Sequence, residues 1–80
     1  SLKSLLEDRD FIKSNLKAYS SLTPKEKEIL VFIIDGFSNE EMAKKMELSK
    51  NTTRTHRNRI WKKLGISTVQ EALNFRCFIT

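Results

Sequence analysis

The spacing of apolar residues along the chain predicts a succession of helices. Over residues 1–19 apolar side chains recur at alternating steps of three and four, which places them on one helical face. This stripe either packs on the domain that follows or ends a longer helix or coiled coil from an upstream region. Fewer than about three heptads do not establish a coiled coil. The stripe consists of Leu2, Leu5, Arg9, Ile12, Leu16 and Tyr19, and Arg9 is its one polar member.

Capping boxes predict the start of the second and third helices. Thr23 and Glu26 form the first box, with Pro24 at the first helical position. Ser38 and Glu41 repeat the pattern at the start of the third helix. The faces expected to be buried are Ile29, Leu30, Ile33 and Ile34 on the second helix, and Met42, Ala43 and Met46 on the third.

The turns that follow these two helices are also predicted. Gly36 ends the second helix in a left-handed conformation. The third helix is short, covering about residues 39–46, and a three-residue turn, 47–49, separates it from the next helix.

The fourth helix, residues 50–64, lies between an N-cap at Ser49 and a stop at Gly65. A short helix, a turn and this longer cationic helix form a helix-turn-helix arrangement, whose second helix enters the major groove of DNA. One narrow stripe is suited to burial, whereas the opposite stripe carries groups that bind base edges and phosphates. The buried stripe is Thr53, His56, Ile60 and Leu64, and the opposite stripe is Asn51, Thr55, Asn58 and Lys62, flanked by Arg54 and Arg59.

A last helix, about residues 68–78, is predicted from a third capping box formed by Ser67 and Gln70. Its apolar residues cover more than one stripe, so one stripe can close the core while the rest is available to a second subunit. No strand is predicted, because the chain has two Gly, one Pro and no two-residue hairpin signal. The apolar residues are Val69, Ala72, Leu73, Phe75, Phe78 and Ile79.

Positive charge is concentrated in the fourth helix. Six Lys and Arg residues and no Asp or Glu lie within residues 50–63, whereas the whole chain is only +5, so the other residues sum to −1. This distribution is typical of a helix that reads nucleic acid. A solvated basic helix without a partner is the weaker interpretation, because unpaired cations on one helix repel each other.

Size and composition exclude several other classes of protein. Eighty residues with 39% hydrophobic and 31% charged content predict one soluble domain. The longest apolar run, residues 29–34, is far too short to cross a bilayer, and no export leader is visible. The single Cys77 excludes an internal disulfide and a cysteine-based zinc site, which fits a cytoplasmic location. The chain begins with Ser1 rather than Met, and we expect it to be a C-terminal fragment.

The motifs of the chain then indicate a family. In order, they are Leu22-Thr-Pro-Lys-Glu, Ile29-Leu30, Gly36-Phe-Ser-Asn-Glu-Glu-Met-Ala43, Ser49, Thr52 and His56, Ile60, Lys63-Leu-Gly-Ile66, and Glu71-Ala72. This series, which runs without a gap from about Leu22 to Leu73, resembles the LuxR/FixJ-type (GerE-like) helix-turn-helix domain of bacterial transcription regulators. The resemblance implies an all-α fold, with a four-helix domain over residues 21–80. Residues 1–20 form an additional N-terminal amphipathic helix or a linker from a missing upstream region.

The resemblance also implies a function. It implies sequence-specific binding of double-stranded DNA by the C-terminal output domain of a transcription regulator. The recognition helix would be about residues 50–64, and the protein would form a homodimer through the last helix on two-fold-related half-sites. An upstream receiver or sensor domain would control it, without a cofactor.

Individual residues can be assigned on the same basis. The resemblance places Arg54, Thr55 and Asn58 toward base edges, and the polar stripe of the fourth helix includes or flanks the same three residues. It places Lys50, Thr52, Arg59 and Lys63 nearer phosphates, and the polar stripe adds Asn51 and Lys62. The outer side of the last helix makes Val69, Leu73 and Arg76 the candidate dimer residues.

Three residues of the fourth helix need a separate account. At the position of Thr53 the family usually has an apolar β-branched residue. The hydroxyl of Thr53 therefore needs a partner, and we expect it to donate to a carbonyl one turn back. The family usually has Val at Arg57, whose stem can pack while its guanidinium reaches a phosphate or an acidic neighbour. Trp61 is expected to be partly buried and to pack within the domain rather than to stack on a base.

No catalytic or metal site is predicted. His56 is the one histidine, and we expect a hydrogen-bonded core residue rather than a metal ligand. Glu40 and Glu41 are explained by helix-start electrostatics, and no Gly-rich phosphate loop or nucleophile–base pair is present. The alternatives to DNA binding are a helical module that binds an acidic protein partner, and a fragment of an enzyme whose catalytic domain is missing.

Overall fold

The structure, a computed structural model, describes residues 2–79, with the side chains of residues 7–79. Every regular element in this range is helical, which confirms the all-α prediction. No helix in the same range is long and apolar enough to cross a membrane. The elements are α1 (Leu2–Ser20), α2 (Pro24–Ile34), α3 (Asn39–Met46), α4 (Lys50–Leu64), α5 (Val69–Ala72) and a closing 3₁₀-helix (Leu73–Phe78).

The first two capping boxes form as predicted. The Glu26 amide donates to Thr23 Oγ1 at 3.1 Å, and the Thr23 amide donates to Glu26 Oε1 at 2.8 Å. Ser38 and Glu41 make the same reciprocal pair, at 3.1 and 3.0 Å. Each box satisfies two amides that have no partner inside the helix, and so fixes where α2 and α3 begin.

The turn between α3 and α4 contains a conformation that the sequence did not indicate. Glu47 is the one non-glycine residue of the described chain with a positive φ, 55°, which is the left-handed region. The Leu48 amide then donates to the Ala43 carbonyl at 2.9 Å, closing the end of α3. Gly36, with φ of 89°, adopts the left-handed conformation predicted after α2.

The start of the last helical segment differs from the prediction. Thr68, not Ser67, is the N-cap, and its hydroxyl accepts from the Glu71 amide at 3.2 Å. The Glu71 carboxylate in turn accepts from the hydroxyls of Ser67 and Thr68. An ionised carboxylate is a stronger acceptor than the Gln70 amide predicted for this role, which explains the shift by one residue.

The last segment is also not a continuous α-helix. It converts after one turn to a 3₁₀-helix, in which side chains three residues apart are eclipsed. Phe75 and Phe78 have this spacing, and their ring centroids lie 5.7 Å apart in a stacked arrangement. The tighter 3₁₀ spacing therefore brings the two rings into contact, which favours this helix over an α-helix.

The core lies between α2, α4 and the last segment, with α3 closing one side. Its buried members come from each of these elements, as the apolar stripes predicted for α2, α3 and α4 require. Burial of this apolar surface is the main term that holds so small a domain together. The buried core consists of Leu22, Ile29, Leu30, Ile33, Met42, Ile60, Leu64, Ala72 and Phe75.

The face of α1 that packs on the domain is not the predicted stripe. Phe11 contacts Phe75 edge to face, with centroids 4.9 Å apart, and Tyr19 stacks on Phe78 at 4.5 Å. Ala18 packs beside them. Of the two interpretations left open for the stripe, packing of the whole stripe on the domain is therefore not observed, and the aromatic rings of Phe11 and Tyr19 make the contact instead.

Most of the predicted stripe of α1 points elsewhere. Leu16 is 52% exposed, Arg9 is exposed and Ile12 is half-buried, whereas Tyr19 is the one stripe member with a described contact to the core. The side chains of Leu2 and Leu5 lie outside the described residues. Helix α1 thus has one face against the domain and a second apolar face on its outer side.

Candidate nucleic-acid interface

Helix α4 is fixed at its start by Ser49. The Ser49 hydroxyl accepts from the Thr52 amide at 3.1 Å and donates to the Thr52 hydroxyl at 2.8 Å. Thr53, fully buried, donates from its hydroxyl to the Ser49 carbonyl at 3.0 Å, which is the partner predicted one turn back. With Thr53, Ile60 and Leu64 buried, the opposite side of α4 must face outward.

The outward side carries the residues predicted to contact DNA. All nine are exposed, so the helix presents them together on one surface and its two margins. Thr55 donates its hydroxyl to the Asn51 carbonyl at 3.0 Å, which leaves the hydroxyl oxygen able to accept. These nine residues are Lys50, Asn51, Thr52, Arg54, Thr55, Asn58, Arg59, Lys62 and Lys63.

One margin of this surface is joined to α3. Arg57 Nη1 donates to Asn39 Oδ1 at 2.7 Å, and the guanidinium carbon lies 5.1 Å from the centroid of the Trp61 ring. Within the domain, Arg57 thus bonds the amide of Asn39 and not the acidic neighbour that was one of its two expected partners. Trp61 is half-buried, as predicted. On the same margin, Lys50 Nζ lies 3.6 Å from Glu40 Oε1, with both side chains exposed.

The other margin is joined to α2 through Lys63. Its Nζ atom lies 2.6 Å from Glu26 Oε1 and 3.4 Å from the Ser21 carbonyl oxygen. Lys63, predicted as a phosphate contact, is therefore engaged within the domain. Glu26 lies on the same face of α2 as Ile29 and Ile33, and that position was the sequence signal that a cation must accompany it.

Glu26 is held in its ionised form by this arrangement. The residue is 2% exposed, and burial by itself raises the pKa of its carboxyl. The hydrogen bond from Lys63 and those from the amide and hydroxyl of Thr23 outweigh burial, so the pKa of Glu26 is lowered from its ordinary value. The carboxylate therefore stays charged at neutral pH and pairs with Lys63.

The positive charge of α4 divides into compensated and uncompensated groups. Lys50 and Lys63 each lie beside a carboxylate, and Arg57 bonds an amide. Arg54, Arg59 and Lys62 are exposed and have no salt bridge to another described residue. The uncompensated charge thus lies on the outward surface, with Lys62 on its central stripe and Arg54 and Arg59 on either side of that stripe.

His56 differs from its prediction. It is half-buried rather than in the core, and its buried Nδ1 atom has no hydrogen-bond partner among the described residues, so the structure does not show the predicted hydrogen-bonded core histidine. Across residues 2–79 no group of three or more His, Cys, Asp or Glu side chains converges to hold a metal ion. The chemistry of the surface is therefore that of hydrogen bonds and positive charge.

The candidate dimer residues lie at the other end of the molecule. Val69 is 39% exposed, Arg76 is exposed and Leu73 is half-buried. Leu73 and Arg76 line an open groove together with Asp8 and Cys77. This groove joins α1 to the last helical segment, so the outer sides of the two elements form one continuous surface.

Comparisons with known proteins find a matching family and several relatives. The GerE family model, described as bacterial regulatory proteins of the luxR family, matches residues 20–75. The response regulator protein TmoT of Ectopseudomonas mendocina is 41% identical over 59 residues, which cover 72% of this chain and 27% of TmoT. The uncharacterized response regulatory protein YgeK of Escherichia coli K12 is 41% identical over 70 residues, which cover 82% and 48% of the two chains.

A third relative extends the match further along the chain. The fimbriae Z protein of Escherichia coli K12 is 34% identical over 74 residues, covering 86% of this chain and 35% of that protein. The chain thus spans about a quarter to a half of the length of these curated relatives.

Proposed function

Because the chain belongs to the luxR family of bacterial regulatory proteins, which are DNA-binding transcription regulators, we propose that α4 enters the DNA major groove and reads base edges. The observation that carries this proposal is the division of α4 into two sides. Thr53, Ile60 and Leu64 anchor one side in the core, while the uncompensated cations lie on the other. A helix anchored in this way can be pressed into a groove without losing its own packing.

Three residues of the outward surface are assigned to base reading. Arg54 can make a bidentate contact to guanine, and Asn58 can make one to adenine. Thr55 lies between them on the helix and can bond to a base or contact a thymine methyl group. All three side chains are exposed, and the side chains of Arg54 and Asn58 make no hydrogen bond to another described residue.

The surrounding residues are assigned to the DNA backbone. Phosphate contacts fix the position of a protein on the duplex and supply most of its salt-dependent affinity. Lys63 uses one donor on Glu26 and one on the Ser21 carbonyl, so its third remains for a phosphate. The proposed backbone contacts are Lys50, Asn51, Thr52, Arg59, Lys62 and Lys63.

We extend the proposal to the assembly of the whole protein. A homodimer through Val69, Leu73 and Arg76 would place two copies of α4 on two-fold-related half-sites. The relatives named as response regulators are longer than this chain, which supports an upstream receiver or sensor domain that controls DNA binding. Such a regulator acts where the chromosome lies, in the cytoplasm.

The proposal is tested by selecting bound sequences from a randomised duplex pool. The selected duplex and a scrambled version of it are then bound across a salt series. We expect an enriched two-fold-related motif and a log affinity that falls by about 0.9 per log unit of salt for each phosphate neutralised. The spacing of the enriched half-sites would measure the geometry of the dimer directly.

Two outcomes would contradict the proposal at different levels. Binding without an enriched motif would mean that α4 contacts the backbone and does not read bases. No binding even at low salt would contradict DNA binding by this chain. Capture of an acidic protein through the outward surface of α4 would then favour the alternative, a protein-interaction module.

A further inference from the structure

Helix α1 has a second apolar face that the domain does not cover. Phe11 and Ala18 pack on the domain, whereas Ile12 is half-buried and Leu16 is 52% exposed. Within the described chain, Leu16 and Val69 are the two exposed large hydrophobic residues. Isolated exposed residues are ordinary, but here Ile12 and Leu16 lie one turn apart on the same side of one helix.

The spacing on this outer face fits the a and d positions of a short coiled coil. Arg9, Ile12 and Leu16 are separated by three and four residues, which makes them successive a, d and a positions of a heptad. The preceding d position in the sequence is Leu5. The seam ends at Tyr19, the next d position, because its ring stacks on Phe78 of the domain.

We propose that this outer face pairs with the same face of a second copy of the chain, as a parallel two-stranded coiled coil. The inference goes beyond the contact of α4 with DNA, and it stands whether or not α4 reads bases. It assigns α1 a role in self-association that is separate from the candidate dimer residues of the last segment.

Charge complementarity selects the second copy and the parallel orientation. In the register set by Arg9, Asp8 occupies a g position and Lys13 the e position of the following heptad. A parallel pair brings Asp8 of each copy beside Lys13 of the other, which gives two opposite-charge contacts. An antiparallel pair would instead bring the two Asp8 residues together and the two Lys13 residues together, which is repulsive.

Arg9 fits the same arrangement. A charged residue at an a position lowers the stability of a coiled coil but fixes its register and favours a two-stranded form. Asp8 immediately precedes the a position, so each Arg9 would lie beside Asp8 of the second copy. This contact offsets the repulsion between the two Arg9 side chains.

The outer face of α1 is also continuous with the last helical segment. Asp8 lines the same open groove as Leu73 and Arg76. Pairing through α1 and a contact through the last segment would belong to a single dimer only where one two-fold axis relates both surfaces.

The test uses this 80-residue chain and three single variants. Asp8→Lys and Lys13→Asp each place like charges in both contacts, and each is expected to weaken self-association about ten-fold in sedimentation equilibrium. An equimolar mixture of the two variants restores both opposite-charge contacts between positions 8 and 13 and one of the two contacts between Asp8 and Arg9, so it should associate more tightly than either variant alone. The matched control is Lys17→Asp, which makes the same change at a b position off the seam and should have no effect.

Each other outcome of this experiment overturns the proposal. A mixture that associates more tightly than the unaltered chain would indicate an antiparallel pair. Association that none of the three variants changes would place self-association elsewhere, for example on the last segment. A chain that stays monomeric at every concentration would leave the outer face to another occupant, such as an upstream domain.

A cross-linking experiment checks the register independently. With Cys77→Ser to remove the native thiol, Leu16→Cys places a thiol at an a position of each copy. A disulfide needs Cα atoms about 4.4–6.8 Å apart, a separation that only a parallel, in-register pair brings about at this position. We expect rapid oxidation to a covalent dimer, whereas Lys17→Cys in the same background should stay monomeric. Equal rates for the two variants would overturn the proposal.

Discussion

Lys63 of α4 and Glu26 of α2 form a short ion pair, with Nζ 2.6 Å from Oε1, on a carboxylate that is almost fully buried. The same carboxylate oxygen accepts from the Thr23 amide in the capping box. The start of α2 and the end of α4 therefore share one acceptor. A residue that the sequence assigns to DNA thus also holds the domain together.

Loss of the lysine should destabilise the fold. Lys63→Met keeps most of the aliphatic stem but leaves the Glu26 carboxylate without its charged donor. We expect the free energy of unfolding to fall by about 1.5–3 kcal/mol, as measured by urea denaturation. Lys62→Met is the matched control, because Lys62 is the exposed neighbour on the same helix. Equal losses in the two variants would contradict a stabilising role for the ion pair.

The same pair predicts a pH dependence. The pKa of Glu26 is lowered in the folded chain from its ordinary value of 4.5. A group with a lowered folded pKa stabilises the fold above its unfolded pKa, and the contribution is lost as the pH falls through the folded value. Glu26→Gln should therefore show a weaker loss of stability below pH 4.5 than the unaltered chain. Parallel curves of unfolding free energy against pH would contradict this prediction.

Base-reading and backbone residues should respond differently to substitution. Arg54→Ala or Asn58→Ala should cost about 1–3 kcal/mol on the selected duplex and relax the preference at one base position. Binding of the scrambled duplex should change much less. The measurement is the affinity of each variant for the selected duplex and for single-base changes in it. Equal losses on every sequence would reassign these residues to the backbone.

Arg59→Ala is the corresponding variant of a residue that is assigned to the DNA backbone. Because a phosphate contact carries no sequence information, its loss should weaken binding to the selected and scrambled duplexes alike. The slope of log affinity against log salt should become shallower by about 0.9. Lys44→Ala removes a cation from the exposed side of α3 and serves as the control for net charge. A relaxed base preference in Arg59→Ala would move this residue to the base-reading group.

The contact of Arg57 with Asn39 should couple α3 to α4. Arg57→Leu keeps an apolar stem beside Trp61 but removes the donor, and Asn39→Ala removes the acceptor. A double-mutant cycle on the free energy of unfolding should give a coupling of about 0.5–1.5 kcal/mol. Additive losses would mean that the 2.7 Å hydrogen bond makes no net contribution.

The candidate dimer surface of the last segment has its own prediction. Leu73→Asp places a charge beside Val69 and Arg76 and should lower self-association in sedimentation, if two copies meet at this surface. Asn74→Asp adds the same charge at an exposed neighbour and should have a smaller effect. Unchanged association in Leu73→Asp would contradict the role of this segment in the dimer.

The parts of the fold that the sequence predicts correctly are those set by short-range chemistry. Thr23 with Glu26 and Ser38 with Glu41 act across three residues, so their geometry follows from the helix alone. The buried side of α4 follows in the same way from the helical spacing of its buried residues. The whole outward surface of α4 is correctly predicted as exposed, because it is the complement of that buried side.

The parts that the sequence does not predict depend on partners far along the chain. Lys63 and Glu26 are 37 residues apart, and Arg57 and Asn39 are 18 apart, so no local pattern joins them. The packing face of α1 depends on Phe75, which comes from the other end of the chain. The change from α-helix to 3₁₀-helix in the last segment likewise depends on how the aromatic rings pack against each other in the assembled core.

The capping boxes have a consequence for how fast the domain assembles. When short-range contacts set the ends of helices, little loop entropy is lost before native contacts form, and small helical domains of this kind fold in about microseconds to milliseconds. Docking of Phe11 against Phe75 joins the two ends of the chain and is expected to come after the transition state. Phe11→Leu should therefore accelerate unfolding in stopped-flow experiments while leaving the refolding rate nearly unchanged.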